Sequence, residues 1–127
     1  MATTVLIVDD SKLARIVAGK AVSALQPGWE RAEAKNAEEA LARVAAGGID
    51  VALLDYNMPG KDGLTLAAEL RAIHPAMPMA VITANVQDEV IARARAVNAA
   101  FVPKPVTEEG LCSFISGAAM RLRAGER

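Results

Sequence analysis

The chain is sparing with the residues that most often mark covalent scaffolds, membrane spans and polyanion-binding surfaces. Cys112 is its one cysteine among 127 residues. An intrachain disulfide framework is therefore excluded, and a reducing compartment is the natural setting. No apolar run approaches the roughly 18 residues of a membrane-spanning helix. The start, Met1 to Thr4, carries no charged region, and the apolar run that follows is too short for a secretion signal. A cytoplasmic protein is expected, with no membrane partner. Lysine and arginine (14) nearly balance aspartate and glutamate (15). No broad basic surface follows from that balance, so non-specific nucleic-acid binding is not expected. There is no internal repeat, no low-complexity tract and no linker, which predicts one domain over 1–127 without an output domain. The one histidine, His74, precedes a proline and reads as a helix-end residue, a poor phosphoacceptor.

What the chain does have is 53% apolar residues arranged as short runs alternating with longer stretches of helical period. That alternation predicts an α/β fold, a doubly wound five-stranded parallel sheet with helices on both faces. The segment Trp29 to Ala34 is polar and roughly alternating, as suits an edge strand. An edge position there fits strand order 2-1-3-4-5, although periodicity alone does not determine the order. Asp10 or Ser11, Asn36 with Glu39, Asp62 and Thr107 are expected to cap helices. The apolar positions Leu13, Ile16, Val17, Val22 and Leu25 of the first helix follow a helical stripe, the face that such a helix ordinarily turns to the core. The fourth helix is expected over about Val86 to Val97, with Asn98 left-handed just past it. Arg93 and Arg95 read as a solvated face, and Cys112 as a small helix-surface residue.

Four apolar runs end in residues that suit one chemistry. Val5 to Val8 leads into Asp9 and Asp10, and Val51 to Leu54 into Asp55. Met79 to Ile82 leads into Thr83, and Ala99 to Pro103 into Lys104. In an open parallel sheet all strand C-termini share one edge, which is where ligands bind. Three carboxylates there repel one another, and a hard divalent cation with oxygen ligands relieves the repulsion. An ionised Asp55 can then attack phosphorus and form an acyl phosphate. Lys104 can neutralise a phosphoryl oxygen, Thr83 can donate to another, and the small Ala84 leaves an entrance.

Taken together, Val8-Asp9-Asp10, the run from Asp55 to Gly63, Thr83-Ala84 and Phe101 to Pro105 resemble a response-regulator receiver domain of the stand-alone, CheY-like kind. The resemblance covers essentially the whole chain and implies a flavodoxin-like fold. It implies that Asp55 is the phosphoacceptor, taking its phosphoryl group from a sensor histidine kinase or a histidine phosphotransfer protein. Mg²⁺, or Mn²⁺ in its place, is implied on Asp9, Asp10, Asp55 and the Asn57 backbone carbonyl. Lys104 and Thr83 are implied to bind the phosphoryl group, with Ala84 beside it. Phe101 is implied as the aromatic that turns inward on phosphorylation, remodelling the face of the fourth helix, fifth strand and last helix. A cis bond before Pro105 and rate-tuning roles for Asn57 and Asn85 complete the set.

The resemblance makes the chain a phosphoacceptor switch rather than a turnover enzyme, expected as a monomer, with a phosphorylation-dependent dimer as the alternative. Its output is an unidentified downstream protein, of chemotaxis or motility type in one reading. In the other the chain is a phosphorelay intermediate or phosphate sink. An aspartyl-phosphate phosphatase is the competing class, but its Asp-x-Asp motif after the first strand is missing here. A flavin carrier lacks support too, because no Ser/Thr/Gly-rich phosphate loop follows that strand.

Overall fold

Five apolar or half-apolar segments become strands, and the stretches of helical period between them become the crossovers. The computed structural model describes residues 3–84 and 87–125. In chain order the elements are β1 (Thr4–Val8), α1 (Lys12–Leu25), β2 (Glu30–Ala34), α2 (Ala37–Ala45) and β3 (Val51–Asp55). They continue with α3 (Gly63–Ile73), β4 (Met79–Thr83), α4 (Asp88–Ala96), β5 (Ala100–Pro103) and α5 (Glu108–Gly125). The strands pair in parallel in the order β2-β1-β3-β4-β5. Every residue of β3 and β4 is buried, as are the last four of β1. Helix layers cover both faces of these central strands, which is why they read as unbroken apolar runs.

Alternation along the strands divides the core in two. Leu6, Val8, Leu54 and Val81 point to one layer, packed on Ala40, Val44, Leu66, Leu70, Val90 and Ala94 of α2, α3 and α4. Val5, Ile7, Leu53 and Ile82 point to the other, packed on Val22, Leu111, Phe114 and Ile115 of α1 and α5. Each fully buried Leu or Ile contributes on the order of 2 kcal/mol from removal of apolar surface.

The helix starts follow the side chains expected to cap them. Ser11 Oγ accepts from the Ala14 amide, Asn36 Oδ1 from Glu39, Asp62 Oδ1 from Thr65 and Thr107 Oγ1 from Gly110. Asn98 is left-handed at φ 55°. Val86, the expected start of the fourth helix, lies outside the described residues. The helix begins at Asp88, with Gln87 extended before it as the N-cap.

Two expectations need correction. Leu13, Ile16 and Val17 were expected in the core but are exposed, Leu13 at 71%. The apolar positions of α1 span two neighbouring arcs. The helix lies on the sheet through the smaller arc of Ala18, Gly19, Ala21 and Val22, which permits close approach, and the larger side chains face outward. Arg93 does not stand alone on a solvated face: its Nη2 is 3.5 Å from Asp62 Oδ2, tying α4 to the cap of α3.

Candidate functional site

Register brings the strand-end residues together. Val8 pairs with Leu54, so Asp9, one residue on, comes level with Asp55. Asp55 pairs with Ile82, one residue before Thr83. Thr83 pairs with Pro103, one residue before Lys104, and the Lys104 amide donates to the Thr83 carbonyl at 3.0 Å. The Tyr56 amide donates to the Ile82 carbonyl at 2.9 Å, which holds the chain in place just beyond Asp55.

The carboxylates of Asp9, Asp10 and Asp55 form the only such acidic group among the described residues. One oxygen from each lies within 4.8 Å of the others. Asp9 and Asp55 are buried and Asp10 is exposed. Burial, above all, holds the Asp9 carboxyl above its ordinary pKa; the charges of Asp55 and Asp10 push the same way, against the Ser11 amide and Lys104. Asp55 Oδ1 is buried without a hydrogen bond of good geometry. It faces the Lys104 ammonium at 2.7 Å, so that contact is a charge pair. Three hard carboxylate oxygens this close together fit a hard divalent cation such as Mg²⁺ or Mn²⁺. The residues that would hold it are Asp9, Asp10 and Asp55.

The other expected residues sit around this group. Thr83 is fully buried, while Ala84 beside it is exposed. Asn57 is exposed on the loop two residues past Asp55. The Lys104–Pro105 bond is cis. Phe101 is half-buried on β5, against the layer formed by α2, α3 and α4. Asn85 lies outside the described residues.

Comparison with known proteins decides the family. The model for the response regulator receiver domain matches residues 5–116. The chain belongs to that family. As a receiver domain it is a component of two-component signalling. It is 40% identical over 117 residues to a positive alginate biosynthesis regulatory protein of Pseudomonas aeruginosa, covering 90% of this chain and 46% of that one. A response regulator receiver protein of Anaeromyxobacter is 40% identical over 103 residues, covering 80% of this chain and 42% of that one. The chain thus spans less than half the length of these curated relatives. Among solved structures, a CheY-like receiver domain of Methanospirillum hungatei superposes with a TM-score of 0.87 at 23% identity, covering 98% of this chain and 99% of that one. The chemotaxis protein CheY4 of Vibrio cholerae gives 0.82 at 26%, covering 93% and 99%. These neighbours carry the same doubly wound fold. No helix among the receiver's described residues is long and apolar enough to cross a membrane.

Sequence reading passed over two residues that shape the site. A Cβ on Gly63 would lie 2.4 Å from the Asp55 carbonyl oxygen, so only glycine lets α3 start against the end of β3. The Gly63 amide in turn donates to the Tyr56 carbonyl at 2.9 Å. Its one sequence signal is its place at the end of the Asp55 to Gly63 motif. Arg15 has no local signal; it reads as one more basic helix residue, yet it bonds the carbonyl of Asp9.

Proposed function

We propose that this receiver takes a phosphoryl group on Asp55 from a phosphohistidine of a sensor histidine kinase or histidine phosphotransfer protein. The carrying observation is that the buried Asp55 carboxylate groups with those of Asp9 and Asp10 and, at Oδ1, faces the Lys104 ammonium at 2.7 Å. An Asp55 oxygen attacks phosphorus, the new O–P bond forms as the N–P bond breaks, and the electron pair returns to the imidazole. Asp9 and Asp10, with Asp55 and the Asn57 carbonyl, hold Mg²⁺ or Mn²⁺, which offsets the crowded negative charge when bound. Lys104 neutralises one phosphoryl oxygen, and the Thr83 hydroxyl donates to another. The chain acts as a phosphoacceptor switch in the cytoplasm, with no turnover of a separate substrate.

The donor has a surface to use beside the acceptor. An open apolar cleft of about 290 Å³ is lined by Leu13, Ala14, Val17, Pro105 and Val106 and reaches Asp9 and Lys104. The exposed apolar arc of α1 continues it. The output is a downstream protein that reads α4, β5 and α5 around Phe101. Phosphorylation of Asp55 adds negative charge beside Thr83 and Lys104 and biases a two-state aromatic position at the end of the same sheet. Likeness to a chemotaxis protein at 26% identity supports a chemotaxis-type output.

Labelling by acetyl phosphate with Mg²⁺ tests the reading. Wild-type protein should incorporate one phosphate per chain and Asp55→Asn none. Equal labelling of the two would remove Asp55 from the role.

A further inference from the structure

Arg15 on α1 joins the turn that carries the acidic pair to the edge strand of the sheet. Its Nη1 donates to the Asp9 carbonyl oxygen at 2.7 Å. Its Nε donates to Glu33 Oε1 of β2, also at 2.7 Å. The Arg15 side chain is only 14% exposed, while Glu33 at the far end of the bridge is 54% exposed. The same turn is already tied to β2 from its other side, because the Asp9 amide donates to the Ala34 carbonyl at 3.1 Å. The Ser11 amide donates to Asp9 Oδ1 at 2.9 Å, which orients that carboxylate. The Asp10 carboxylate, by contrast, is exposed.

The carbonyl that Arg15 grips belongs to the Asp9–Asp10 peptide. That peptide is planar and rigid, so fixing its oxygen fixes the nitrogen of Asp10 on the other side of the bond. Rotation of the plane would swing the Asp10 side chain relative to Asp9 and Asp55. The forked guanidinium suits the task because it offers donors in two directions at fixed geometry, and a lysine ammonium does not.

We propose that Arg15 is a positioning residue for the cation site: it sets the Asp9–Asp10 peptide plane, and through it the approach of Asp10 to Asp9 and Asp55. The inference rests on these three carboxylates holding Mg²⁺. Partners that orient metal ligands in this way typically contribute ten-fold or more to metal affinity. The sign separates positioning from charge. Removing a cation near an acidic group, with geometry unchanged, strengthens Mg²⁺ binding; loosening the peptide plane weakens it.

Calorimetric Mg²⁺ titration of the folded chain, with thermal melts in metal-free buffer, decides between them. Arg15→Met is expected to weaken Mg²⁺ binding about ten-fold, and Arg15→Lys to recover part of the loss. Glu33→Gln should weaken binding less, and in the double variant it should add nothing to Arg15→Met, because the two act through one contact. Arg15→Met with unchanged or tighter Mg²⁺ binding, whatever its melting temperature, overturns the inference. Should Arg15→Met not fold, Arg15→Lys carries the test at wild-type charge: weaker binding supports positioning and equal binding overturns it. A wild-type chain that takes up no Mg²⁺ overturns the cation site itself, a result distinct from equal binding by wild type and variant.

Discussion

The Lys104 ammonium stands 2.7 Å from Asp55 Oδ1 across the end of β4. Asp55 is nearly inaccessible, with 4% of its side chain exposed, while Lys104 keeps 34%. The pair therefore joins the most enclosed carboxylate of the site to a cation that can still move. When a phosphoryl group arrives, the ammonium can follow the new charge without crossing the core. Replacing Lys104 with alanine should leave Asp55 labelled by acetyl phosphate and Mg²⁺ binding intact. Phosphorylation-induced amide shifts at Ala99 to Val102 should then vanish. NMR of the beryllofluoride-treated protein checks this, and wild-type shifts in the variant would refute the coupling. Leaving Asp55 without its partner should also lower metal-free stability, by about 1–2 kcal/mol given the partial exposure of Lys104.

Asp9 should behave as a destabilising charge whenever metal is absent. Burial raises its pKa in the fold, so the folded state holds the proton more tightly than the unfolded chain. The stability this contributes is complete below the unfolded value near 3.8 and is lost as pH rises through the folded value. At pH 7 without Mg²⁺, Asp9→Asn should raise the melting temperature by a few degrees; about 1 kcal/mol moves a domain of this size by roughly 4 °C. The gain should shrink toward pH 4. Saturating Mg²⁺ should stabilise the wild type, by about 2.7 kcal/mol at a hundred times its Kd, and the variant far less. Melts at both pH values with and without Mg²⁺ provide the check.

Gly63→Ala should damage the site from the backbone side. The added carbon meets the Asp55 carbonyl oxygen at 2.4 Å and the Tyr56 Cα at 3.0 Å, and neither is a side chain that can swing away. A loss of about 1–3 kcal/mol is expected, together with slower labelling of Asp55. Gly117→Ala on α5 is the control. Apart from its chain neighbours and the helix's own backbone, no heavy atom lies within 4 Å of its added carbon, so it should stabilise the helix by about 0.5–1 kcal/mol. Urea unfolding of both variants measures the contrast.

Asp62 joins two tasks that substitution can separate. Burial alone would raise its pKa, but the Thr65 amide and hydroxyl and the Arg93 guanidinium outweigh it, and the carboxyl sits below its ordinary value. The stability it supplies is present above the unfolded value of 3.8 and fades as pH falls through the lower folded one. Asp62→Ala should cost about 1 kcal/mol at pH 7 through loss of the α3 cap. Asp62→Asn keeps an acceptor for Thr65 and should cost about 0.5 kcal/mol or less, since Arg93 and Asp62 are both partly exposed. Unfolding free energies at pH 7 and pH 3 test this, with the Asp62→Asn deficit expected to shrink at the lower pH.

Much of this architecture was legible because burial writes itself into composition. β3 and β4 are covered on both faces and read as continuous apolar runs, while Glu30, Arg31 and Glu33 mark β2 as an edge. Ser11, Asn36, Asp62 and Thr107 announced their helices because a cap bonds amides only two or three residues away. Leu13, Ile16 and Val17 misled because periodicity shows that a helix has an apolar face without saying which of two adjoining arcs meets the sheet. The packing of the small residues of α1 against the sheet made that choice.

From the chain alone came the strands, most helix starts and the identities Asp9, Asp10, Asp55, Thr83 and Lys104, each set by neighbours within a few positions. Only the tertiary structure decided that Asp9 stands level with Asp55, that Lys104 reaches it, that Gly63 must lack a side chain and that Arg15 bridges Asp9 to Glu33. Several of these contacts join residues far apart in sequence, and all depend on crossover handedness and strand register, for which no local run of residues carries a signal.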